Sequence, residues 1–136
     1  MTRSLIVALV IGLVYILLYN YLPLRTPITV ASAISGLEIK SDAEVLYFDE
    51  HWVFTDGYVK VALKLSSDNA ELVRSQTKKR KYAHIIQYPL NDSSDLPFTM
   101  SSIHSVSKYE QGKKPGNFSE VTWDNKNSIL FCVDYM

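Results

Sequence analysis

The chain divides sharply after its first 24 residues, and that division limits what it can fold into. From Leu5 to Tyr19 there is no charged residue and one glycine, Gly12; the apolar character continues, diluted by Asn20 and Pro23, to Leu24. A helix rises about 1.5 Å per residue, so roughly 20 residues match a hydrocarbon core about 30 Å thick. Leu5–Leu24 is just long enough. The sequence predicts a transmembrane signal anchor over residues 1–25, a linker over 26–37 and one extracytoplasmic domain over 38–136. Arg3 and the α-amino group lie on one flank and Arg25 alone on the other. This small positive bias puts the N-terminus in the cytoplasm and the domain outside the inner, plasma membrane. Tyr19 and Tyr21 would then lie at the outer interface.

Ala31-Ser32-Ala33 has the small-x-small form of a signal-peptidase site. Arg25, Pro23 and Pro27 separate it from the densest apolar run, which favours retention over cleavage. No lipidation cysteine stands just after that run, so a lipoprotein is not expected.

The whole chain has 14 basic and 14 acidic residues. Without Arg3 and Arg25 the balance is 12 against 14, close to −2 and unlike a nucleic-acid binder. The single cysteine, Cys132, excludes an internal disulfide. Its place between Phe131 and Val133 reads as a small core residue. Acids prevail between Gly36 and Thr77, and Lys78-Lys79-Arg80-Lys81 follows without a break, a solvated helix end.

Within the domain, Ala43–Asp49 is apolar on both faces, as a central strand would be. Tyr58–Leu65 alternates, with Val59, Val61, Leu63 and Leu65 on one side. Asp56-Gly57 signals a turn between these strands. A helix capped by Ser67 or Asp68 should follow and dock through Ala70, Leu72 and Val73. Tyr82–Tyr88 reads as a strand and 91–97 as a loop; Phe98–Tyr109 is ambiguous. Phe118–Trp123 and Ser128–Tyr135 form a hairpin about Asp124–Asn127. The fold class is α+β: an N-terminal transmembrane helix, then a small antiparallel sheet with one or two helices.

His51, His84 and His104 show no metal-ligand spacing, and no nucleophile or phosphate-loop motif is present. No catalytic residue, metal or cofactor is expected. The candidate binding residues are Asp49, Glu50, His51, Trp52, Phe54 and Asp56, two large aromatics among acids in what reads as a loop. Aromatic anchors bury much area with few rotors. Tyr47, Tyr58, Tyr82, Tyr88, Tyr109, Tyr135 and Trp123 could extend that surface.

Asp49-Glu50-His51, then Asp56-Gly57, an alternating strand, a Ser-Asp-capped helix and a terminal hairpin carrying Asp134 resemble a group of small uncharacterised bacterial domains. These have an Asp-x-His, an Asp-Gly turn, then strand and helix. Trp52 and Phe54 stand where those domains have glycines. The resemblance implies a fold and no activity.

The functional expectation is a membrane-anchored, non-enzymatic protein-binding domain of a bacterial envelope, within that class an inhibitor- or immunity-type protein. One alternative is an accessory subunit of a membrane protein complex, with Ala8 and Gly12 forming a close-approach pair on the anchor. The other is a small hydrolase using Asp49, His51 and Asp56, with or without a metal.

Overall fold

The computed structural model describes residues 2–21, 25–54, 56–84 and 96–136 and, within the first helix, side chains from residue 4 to residue 16. Among the described residues, three α-helices, α1 (Thr2–Tyr21), α2 (Pro27–Ser35) and α3 (Ser67–Lys79), accompany five strands: β1 (Glu44–Val53), β2 (Asp56–Lys64), β3 (Ser105–Gln111), β4 (Phe118–Asp124) and β5 (Ile129–Tyr135). The strands form one antiparallel sheet in the order β1-β2-β5-β4-β3. The α+β class and the antiparallel sheet are those expected.

The membrane-spanning part of the expectation is not supported at this level. Among the described residues no helix is long and apolar enough to cross a membrane. Residues 22–24 of the expected span, and the side chains of Tyr19 and Tyr21, lie outside the described residues. What is described of α1 is apolar all round, with Leu5, Ile6, Leu9, Ile11 and Tyr15 each more than half exposed.

Residues 27–35 are not a linker. Thr26 caps α2 by accepting the Thr29 amide at 3.2 Å, the Thr29 hydroxyl oxygen accepts the Thr26 amide at 2.9 Å, and Pro27 occupies the first turn. Gly36 ends the helix at φ +63°, the left-handed conformation that glycine enters without a Cβ penalty. Val30, Ala31 and Leu37 are buried with Val59, Val61, Leu63, Leu65, Val121, Trp123, Leu130 and Cys132. Small residues let this helix sit close to the sheet. The core thus takes in α2, which lies within the stretch 26–37 that the sequence reads as a linker.

The alternation in β2 is as expected: Val59, Val61, Leu63 and Leu65 all face this core. Ser66, one residue before the expected cap, caps α3 by accepting the Asn69 amide. Ala70 and Val73 dock, while Leu72 is half-buried. Asn69 fastens α3 to the segment after α2, accepting the Lys40 amide and donating to Asp42 Oδ1 at 3.0 Å.

Two strand expectations change. The strand around residues 44–53 is an edge strand, not a central one. Tyr82–Tyr88 contributes a single bridge, Ala83 to Ser107, with residues 85–88 outside the described residues, as are 91–95 of the expected loop. The ambiguous stretch becomes a 3-10 turn at Ser102–His104 followed by β3. The closing hairpin is as expected, and Asp124 organises its turn. Its fully buried carboxylate accepts the amides of Lys126, Asn127 and Ser101 at 2.8, 3.1 and 2.7 Å.

Candidate functional site

The six candidate residues lie in a β-hairpin, not a loop. The strands run as far as Val53 paired with Asp56, with Phe54 following β1 and residue 55 outside the described residues. Asp56 and Gly57 are thus the first residues of β2. Strand alternation splits the set. Asp49 and His51 share a face with Tyr58 and Lys60, whereas Glu50 and Trp52 share the helix-bearing face with Val59. Phe54 stands at the tip, fully exposed at φ +57°.

On the helix-bearing side, Arg25 links the start of the domain to the hairpin. Its guanidinium lies 2.7 Å from Glu50 and 5.7 Å from the Trp52 ring centroid, and the Trp52 indole N–H donates to Glu50. Beside them is an open cavity of about 490 Å³ between α2 and the sheet, lined by Arg25, Thr29, Val30, Ala33, Ile34, Val59, Asp134 and Met136. Burial among these apolar groups pushes the Asp134 carboxyl above its ordinary range.

The opposite face carries the more extensive feature. A row of rings crosses all five strands: His51, Tyr58, Tyr135, Phe118 and Tyr109. Successive ring centroids lie 5.9, 5.7, 4.9 and 5.5 Å apart. The strand registers that place His51 opposite Tyr58, Tyr58 opposite Tyr135 and Tyr135 opposite Phe118 bring the rings into line. Lys60 Nζ lies 5.1 Å from the Tyr58 centroid and 5.8 Å from that of Tyr135. Tyr58 donates its hydroxyl to Asp49 Oδ2 at 2.9 Å, and this bond to a carboxylate holds its phenol above the usual range. His51 and Tyr109 are exposed, and the three middle rings are half-buried. Beyond the row, Phe98 packs edge-on against Phe131, and Tyr47 against Phe98.

Of the tyrosines expected to extend a contact surface, Tyr58, Tyr109 and Tyr135 stand in this row. Tyr82 packs against the helix-side core, Trp123 is fully buried there, and Tyr88 lies outside the described residues. The sequence reading missed Phe118, which only the β4–β5 register brings between Tyr135 and Tyr109. It also missed Glu120, an acid almost wholly buried two residues further along the same face.

Asp49 and Asp56 are separated along the hairpin by four register positions, about 13 Å at the strand rise. Among the described residues no three His, Cys, Asp or Glu side chains are grouped to hold a metal. His84 Nδ1 lies 2.9 Å from the Ser105 carbonyl, remote in sequence and strand from His51. Cys132 is buried, and its thiol is pushed far above its ordinary range. No protein-family model, curated protein or solved structure matches this chain.

Proposed function

We propose that this is a non-enzymatic, membrane-anchored domain that binds a protein partner on the outer side of a bacterial plasma membrane. The row of rings from His51 to Tyr109 is its contact face. That row carries the reading: five aromatic or imidazole rings on one sheet face, exposed at both ends, offer area at low conformational cost. The edge position of β1 adds backbone groups that a partner strand can pair with. Capture of a toxin or hydrolase, as an inhibitor- or immunity-type protein does, is the narrower form of the proposal.

Anchoring through α1 belongs to the same proposal. A helix apolar all round finds no stable place in water. The N-terminus would then lie in the cytoplasm, as the charge bias favours. The burial of Ala31 inside α2 favours retention of this segment, because cleavage after Ala33 would remove Val30 and Ala31 from the core.

The test is purification of the full chain from detergent-solubilised envelopes, beside the double variant His51→Ala, Tyr109→Ser. Both positions are exposed ends of the row, so the variant should melt close to the parent. The expected result is a stoichiometric protein partner with the parent and its loss with the variant. Equal recovery with both, or no stoichiometric partner with either, overturns the reading.

A further inference from the structure

We propose that the tip of the β1–β2 hairpin contacts a phospholipid bilayer, with Trp52, Val53, Phe54 and Met136 in the interfacial layer; the inference rests on the anchoring of α1. Four observations lead there. The tip is apolar and open: Phe54 is fully exposed, Val53 is 53% exposed and Trp52 37%. Met136 lies at the same end, since it and Gly57 exchange backbone hydrogen bonds of 2.9 Å in both directions, and it is also exposed.

The third observation is the position of Arg25. It touches the hairpin through Glu50 and Trp52, and it follows the last residue of α1, Tyr21, by four positions. Four residues span at most about 14 Å. The end of the domain that carries the tip is therefore tied close to the end of α1. The polar layer of a bilayer is roughly 5–7 Å deep on each side of the hydrocarbon, so a short link holds the tip within reach of it.

The fourth is the turn chemistry. A positive φ favours Gly, Asn or Asp. Here Phe54 occupies that conformation at φ +57°, with its ring in the open. A strained aromatic with no packing partner among the described residues is costly to folding and useful to insertion. Tryptophan beside it suits the interface, where amphipathic rings are favoured.

Charge does not drive the contact. Arg25 is offset by Glu50, and exposed Asp56 borders the tip. The surface suits zwitterionic phospholipid and gains nothing from anionic lipid.

The experiment uses the full chain reconstituted in phosphatidylcholine vesicles, with a fraction of the lipid brominated high on its acyl chains. The chain has two tryptophans, and Trp123 is fully buried, which makes it an internal reference. The parent should float with the vesicles and lose emission to the brominated lipid. Trp52→Phe should float equally and show no such loss. Phe54→Asp should float but lose most of the quenching at Trp52. Flotation without quenching, or equal quenching in the parent and Trp52→Phe, overturns the tip contact and leaves the anchor standing. Failure of the parent to float overturns both.

Discussion

The indole of Trp52 lies directly over the backbone of Gly57, its partner across the β1–β2 hairpin. A Cβ at residue 57 would come within 2.5 Å of Trp52 Cε3 and 2.3 Å of the His51 carbonyl oxygen. Gly57 is thus required for close approach in a strand, not for a turn. The aromatic covers a glycine that would otherwise leave a gap in the sheet.

Gly57→Ala should destabilise the domain by about 1–3 kcal/mol, the range of overpacking. Removing the ring as well, in Gly57→Ala with Trp52→Ala, should not restore stability, because the His51 carbonyl clash remains. Urea melts of the single and double variants check this.

The two tryptophans should behave differently. Trp52→Ala should cost about 1 kcal/mol, on the scale of an exposed cation–π contact such as the one it makes with Arg25. Trp123→Ala should cost about 3–5 kcal/mol, as truncation of a fully buried aromatic does. Thermal melts of both variants under one condition decide it.

The N-terminal boundary can be tested by truncation. A chain beginning at Arg25 should fold, because it keeps α2 whole. One beginning at Glu38 loses Val30, Ala31 and Leu37 from the core, each large side chain contributing about 1.5–3 kcal/mol, and should not fold cooperatively. Circular dichroism during heating distinguishes a cooperative transition from none.

Asp124→Ala should cost about 3 kcal/mol or more, because it strips three buried or half-buried amides of their acceptor. Asp124→Asn keeps one acceptor oxygen and should fall between. Chemical denaturation of the two variants gives the order.

Two carboxylates should act on stability with opposite pH signs. Burial raises the Asp134 pKa, so its protonated form favours the fold; its contribution is full below the unfolded value and is lost as pH rises through the folded one. Asp134→Asn should therefore stabilise the domain at pH 7 and give no gain near pH 3. The Asp42 pKa is lowered, first by the hydroxyl donated from Ser66 at 2.6 Å. Its contribution is present above the ordinary carboxylate range and is lost as pH falls through the lowered value. Asp42→Asn should weaken the domain at pH 7 and much less at low pH. Melts of both variants across this range test the signs.

Local patterns determined much of the fold. The alternation of β2, the closing hairpin and the helix after Ser66 were legible because each follows a short-range rule of periodicity or capping. The α2 helix was marked too, by Thr26-Pro27 before it and Gly36 after it, but its small residues show no broad apolar stripe and read as a linker. Only the tertiary structure supplied the reason: a helix pressed closely to a sheet needs small side chains where it touches. Likewise Ala43–Asp49 carries the apolar pattern of a central strand, yet strand order is a long-range property, and β1 lies at the edge. The aromatic row depends on long-range pairing as well. Its residues, from positions 51, 58, 109, 118 and 135, come into line through four strand registers, and the β2–β5 register that joins the two hairpins is long-range, beyond any local pattern.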